Sequence, residues 1–318
     1  MNKNMKIIMK NILILIAISV LFTSCGNSGN DSSVNTRGGE GRANNYEDVS
    51  FFSDQIELQK FKDAKIGGAI KTPLALDYRS LIIPTTKGYI AKVVNGNLTW
   101  KKRLPDSTRA SSAMAADKNG NIYVFGLNGV VYSFDPSGDL RWEYVFSEKP
   151  EEFEIYSDLL VSGNAVYAGG SNGTLVKLDF DGNEAFKRNS DYALTQTFAA
   201  TGDGKIILPL TENKFGGNDS LVVLNTDGTE AFSTSFKNFR LTDAVAYKND
   251  HIYFAGIKES SSGKISELYK MDMTGNVVWK KELVVIPKYI SISNNDEIYV
   301  NGYNSGVGQA LSGIYKFG

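Results

Sequence analysis

Residues Gly120 to Tyr144, GNIYVFGLNGVVYSFDPSGDLRWEY, decide the fold. Asn121 to Phe125 is a short β-branched and aromatic run, Leu127-Asn128-Gly129 supplies turn residues, and Val130 to Phe134 is a second run. Asp135-Pro136-Ser137-Gly138 predicts a turn, because Asp caps its own backbone, Pro presets φ at the second position and Gly closes it. Asp139 to Tyr144 follows as a further strand and carries Trp142.

Weaker copies of this unit recur almost to the C-terminus. Aligned on the turn and the aromatic, they run Asn95-Gly96 to Trp100, Ser137-Gly138 to Trp142, Asp181-Gly182 to Phe186, Asp227-Gly228 to Phe232 and Thr274-Gly275 to Trp279. Each aromatic lies four residues after its Gly, and successive aromatics are 42 to 47 positions apart. A period in that range with several strands per repeat is the mark of a β-propeller blade. The strand before the turn-flanked pair recurs six times: Leu81-Ile82-Ile83, Ile122-Tyr123-Val124, Val166-Tyr167-Ala168, Ile206-Ile207-Leu208, Ile252-Tyr253-Phe254 and Ile298-Tyr299-Val300. Short segments upstream, such as Ser112 to Ala116 and Asp243 to Tyr247, read as innermost strands, which makes four strands per blade.

The expected fold is therefore all-β, a six-bladed propeller over residues 51 to 318. The sixth copy stops at Gly318 without its outer strand, and Ile56 to Phe61 has the length and alternation to fill that place and close the ring. Copies four, five and six carry longer connections, Thr211 to Asp219, Lys258 to Gly263 and Tyr303 to Ser312, which should crowd one face.

The pattern of an apolar strand, G-x-[VL]-[YV]-x-[FL]-[DN], a turn ending in Gly and Trp four residues later resembles the PQQ-like (quinoprotein-type) β-propeller repeat. Copy two, with Gly129 to Asp135 and Trp142, matches best; copies three and four carry Phe186 and Phe232 in place of Trp, and copy one shortens the turn to Asn95-Gly96. The resemblance implies that Trp100, Trp142 and Trp279, with Phe186 and Phe232, pack between neighbouring blades. The quinoprotein dehydrogenases, similar in repeat, have more blades, a metal site and in many cases adjacent cysteines. This chain has one Cys and two blades fewer, so no quinone cofactor and no dehydrogenase activity is expected. Within the cell envelope the resemblance extends to the propeller lipoprotein of the outer-membrane β-barrel assembly machinery, which implies a binding or scaffolding role.

Residues 1 to 24 are read as a targeting segment outside the fold. Lys3, Lys6 and Lys10 form its positive start, Ile12 to Phe22 is an apolar run too short to span a bilayer comfortably, and Leu21-Phe22-Thr23-Ser24-Cys25 resembles a bacterial lipobox. Cys25, the only cysteine, is the expected site of lipidation, which gives an anchor to a membrane, expected to be the outer one, without a span. Residues 25 to 50 hold little aliphatic material and are expected to be a flexible tether. With 34 Lys and Arg against 35 Asp and Glu, scattered, there is no footing for nucleic acid.

No catalytic set emerges. A nucleophilic triad would have to use His251, the only histidine, which reads as a turn-edge residue beside Asn249-Asp250. A His-rich zinc site is excluded, and Asp179 to Gly182 lacks the rest of a calcium loop. Asp135, Asp179, Asp181 and Asp227 read as turn formers, and no metal is expected. The candidate ligand rim is the channel mouth, where aligning the inner strands places Lys71, Ser112, Tyr156, Gln196, Thr242 and Lys288 at equivalent positions, with Arg109 and Arg240 nearby. The sequence thus points to a non-catalytic envelope lipoprotein that binds or scaffolds a protein partner, with a surface lipoprotein that takes a carbohydrate or peptide at the channel mouth as the alternative and an envelope enzyme as the least favoured reading.

Overall fold

A computed structural model describes residues 33–34, 66, 69–70, 73–77, 79–148, 156–195, 197–212, 218–260, 263–293, 295–304 and 311–317. The described residues form six antiparallel sheets and one helical turn, Pro105–Ser107. The second sheet shows the plan: Ala115–Asp117 innermost, then Ile122–Phe125, Val130–Phe134 and Leu140–Val145 outermost. The first sheet ends on Asn97–Arg103, the third on Glu184–Arg188, the fourth on Glu230–Ser235 and the fifth on Val277–Leu283. The sixth holds Ile286–Ile292, Ile298–Asn304 and Leu311–Phe317. Its expected outer strand, Ile56 to Phe61, lies outside the described residues. The fourth sheet departs from the plan by splitting its innermost strand into Ala193–Leu194 and Ala199–Ala200, both paired with Ile206–Thr211.

Cores lie between successive sheets. Ile122 and Val124 pack with Leu74, Ile82 and Ile90 of the first sheet, while Tyr123 and Phe125 pack with Leu159, Val166 and Val176 of the third. Side chains alternate faces along a strand, so a strand buried on both faces needs apolar residues at every position. Continuous runs such as Ile122–Phe125, buried throughout, follow from that geometry. Outer strands alternate between half-buried and exposed, which is why Leu140–Val145 reads LRWEYV.

Strand alternation sorts the connections into two ends. Inner-to-second and third-to-outer turns share one end, here the turn-bearing end; second-to-third connections and the links between sheets share the other. The long connections of the fourth, fifth and sixth sheets therefore lie at that second, insertion-bearing end, and the hairpin of the fifth sheet stays paired as far as Ser260 and Gly263.

Candidate functional site

The aromatic four residues after each turn Gly occupies one repeated place. Trp100, Trp142, Phe186, Phe232 and Trp279 pair across the ladder with Lys92, Ser133, Lys177, Val223 and Lys270, and in all five sheets the register slips by one residue immediately after that pair. A bulge re-aims the side chain next to it. Here the aromatic swings toward the following sheet: Trp142 Nε1 donates to Phe180 O (2.9 Å) and Trp100 Nε1 to Pro136 O (3.0 Å). The rings lie on the Gly of the next turn. A Cβ on Gly138 would sit 3.0 Å from Trp100, one on Gly182 2.7 Å from Trp142, and one on Gly228 3.0 Å from Phe186. These glycines also hold φ of +84°, +88° and +86°. Trp279 packs against the core between fifth and sixth sheets, as does Phe317.

The turn carboxylates bind their own backbone. Asp135 Oδ1 accepts from the N–H groups of Ser137 and Asp139, both at 2.9 Å, and Asp179 Oδ1 from Asp181 and Asn183. Asp272 accepts from the Thr274 hydroxyl and the amides of Thr274 and Asn276; these bonds, the hydroxyl first, hold its carboxyl down at about 2. Among the described residues no three His, Cys, Asp or Glu side chains gather as metal ligands. His251 Nδ1 lies 2.6 Å from Asn249 O of its own turn.

The expected rim changes on inspection of register. Bridges join Ile70 to Thr85, Ala110 to Gly126, Tyr156 to Gly170 and Leu241 to Gly256. The residues that follow, Ser111, Ser157 and Thr242, are therefore equivalent, together with Thr195, which follows the Leu194–Leu210 pair. Ser112 and Tyr156 are each one residue out of step. Ser111 Oγ donates to Phe125 O and Thr242 Oγ1 to Ala255 O, both at 3.0 Å, and Ser157 Oγ accepts from Gly169 N at 2.8 Å. These hydroxyls seal the inner ladder where it begins. Tyr156 is not on a rim: it is 4% exposed and stacks on Phe125 at 4.3 Å between ring centroids, because its ring fills the core between second and third sheets. Ser112 is half-buried, and Lys71, Gln196 and Cys25 lie outside the described residues.

Lys288 does stand at the insertion-bearing end of the axis, as a charge pair. Its ammonium donates to Asp243 of the fifth sheet, and it feels Asp158 of the third. Burial works against the charge, but the hydrogen bond and carboxylates outweigh it and raise the Lys288 pKa. Asp158 itself accepts from Ala113 N of the second sheet at 2.8 Å, and the Thr197 hydroxyl donates to Asp243 O. Polar contacts thus tie the second sheet to the third, and the fourth and sixth to the fifth, and the mouth is less basic than the sequence suggested. Arg109 and Arg240 are exposed beside it.

Among the described residues, the exposed large apolar side chains are unevenly placed. Ile70, Leu127, Val145, Tyr192, Val284 and Tyr303 all stand at the insertion-bearing end, with Val284 74% and Ile70 58% exposed. Leu98, Leu140, Val277 and Val278 begin outer strands at the other end. There a cleft of about 430 Å³ opens between fourth and fifth sheets, where Phe232 stays 3.6 Å from the Cβ place of Gly275. Its carboxylates are engaged, Asp203 by Lys205 and Asp250 by the Tyr247 hydroxyl (2.8 Å).

Six antiparallel sheets with inter-sheet cores and a Gly-plus-aromatic lock make an all-β architecture of the β-propeller type that resembles the PQQ-like repeat proteins. Residues 86–215 match the family model described as outer membrane protein assembly factor BamB, which this propeller resembles. BamB from Moraxella catarrhalis is similar at 15% identity over 72% of this chain and 68% of that one, with a TM-score of 0.47. No curated protein matches the chain.

Proposed function

We propose that this protein is a non-catalytic scaffold of the bacterial outer membrane, a six-bladed propeller closed by Ile56 to Phe61 and anchored through lipid on Cys25. The observation that carries the reading is the set of apolar side chains at the insertion-bearing end, around Leu127, Val145 and Val284, which suits contact with a protein. The similarity of residues 86–215 to an outer-membrane assembly factor supports the address and the scaffold role. In the alternative reading, the exposed Arg109 and Arg240 at the same end receive an anionic glycan or peptide segment.

Photo-crosslinking residues placed at Leu127 and Val284, with Leu98 and Val278 as controls, test this in intact cells. Discrete envelope-protein adducts from the first pair alone support the scaffold. Adducts from the controls alone, or carbohydrate adducts at Leu127, defeat it. Cys25→Ser moves the protein from the membrane to the soluble fraction if the anchor is right.

A further inference from the structure

The second sheet carries a fifth strand on its inner edge. Ser33–Val34 pairs antiparallel with Ala115–Asp117, Ser33 opposite Asp117 and Val34 opposite Ala116, and lies beside Leu160–Ser162, the inner strand of the third sheet. The inner edge of a propeller sheet faces the axis, so this strand lies in the channel. Asp117 is at the turn-bearing end of its strand, because the Asp117–Asn121 turn follows it. The added strand therefore enters from the turn-bearing end and runs toward the insertion-bearing one. We propose that Ser33–Val34 threads the propeller axis and, with Cys25 lipidated, holds the turn-bearing end toward the membrane and the apolar, insertion-bearing end away from it.

Chain length supports the orientation. Ser33 lies eight positions after Cys25, a stretch that spans at most about 28 Å when extended. Passing around the outside of the sheet to the other end means crossing four strands spaced about 4.8 Å and climbing a five-residue strand, roughly 36 Å in all. A lipid on Cys25 therefore reaches the turn-bearing side alone by that route. The same strand covers the inner edge of the second sheet, which would otherwise offer unpaired backbone groups to the channel. The threading stands on the strand pairing; the orientation rests on the anchor proposed above.

The test is made on the full chain, in both the Cys25 and Cys25→Ser backgrounds. Val34→Cys/Ala116→Cys should form an intramolecular disulfide under diamide at least tenfold faster than Val34→Cys/Val145→Cys, whose second site is exposed on the outer strand. Equal rates, or no bond at 116, overturn the threading. Hydrogen exchange on the unaltered protein covers a folding failure at the buried Ala116: one of the two amides of 33–34, the one turned to the partner strand, should be protected at least tenfold, and free exchange of both refutes the strand. For orientation, a fluorophore on Lys118→Cys should be quenched at least twofold more than one on Leu127→Cys by headgroup nitroxide lipids in vesicles. Equal or reversed quenching overturns it. A protein that forms the disulfide but does not sediment with vesicles refutes the anchor and leaves the threading intact.

Discussion

Replacing Gly182 by Ala tests the lock between successive sheets. The new Cβ would lie 2.7 Å from Trp142 Cδ2 and 2.9 Å from Cγ, on a residue with φ of +88°. The left-handed backbone costs an Ala about 1 kcal/mol. Overpacking against the indole adds about 1–2 kcal/mol, and a displaced ring loses the Nε1 bond to Phe180 O, about 1 kcal/mol more. Gly163→Ala is the matched control, since φ is +59° there and nothing lies within 4 Å of the new methyl. Urea unfolding followed by far-UV circular dichroism should show Gly182→Ala losing about 2–3 kcal/mol more than Gly163→Ala. Trp142→Ala should cost about 2–4 kcal/mol, toward the low end for a half-buried ring, and the double variant should fall short of the sum by about 2 kcal/mol because the clash is gone. Equal losses at the two glycines, or additivity within about 0.5 kcal/mol, would refute the lock.

Tyr156→Ala should cost about 3–5 kcal/mol in the same assay, whereas Arg109→Ala should stay within about 0.5 kcal/mol; near-neutral Tyr156→Ala would return that residue to the rim. Lys288→Met removes the partner of Asp243 and, with the lysine side chain 40% exposed, should cost only about 1 kcal/mol, shrinking in high salt. Asp272 has a carboxyl held at about 2, below its unfolded value, so its contribution is present above the unfolded value of roughly 3.9 and is lost as pH falls toward 2. The stability gap between the parent and Asp272→Ala should accordingly be constant from neutral pH to pH 5 and narrow below pH 4; a gap independent of pH would contradict the assignment.

Much of the architecture is written in local chemistry. The Asp-x-x-Gly turns satisfy their own backbone, and a strand buried on both sides must be apolar throughout, so Ile122–Phe125 and its relatives announce themselves without reference to the rest of the chain. The constant spacing from Gly to aromatic is equally plain, because a turn and a one-residue bulge fix it within a single hairpin. What that spacing does not reveal is that the aromatic and the Gly it covers belong to different sheets.

The rim was the part misread, and the reason is register. Inner strands such as Ala115–Asp117 are only three residues long, and the fourth sheet splits its own in two, so the sequence pattern there leaves the register open by a residue. Pairing with Gly126, Gly170 and Gly256 is the signal that would have selected Ser111, Ser157 and Thr242. The sequence by itself determined the recurring second and third strands, the period and the turns, since each depends on neighbours a few positions away. Only the tertiary structure decided that Tyr156 is core, that Lys288 answers Asp243 and Asp158, and that Ser33–Val34 pairs with Ala115–Asp117. Those outcomes depend on groups 30 to 130 residues apart meeting around one centre, and no local pattern encodes a meeting of that kind.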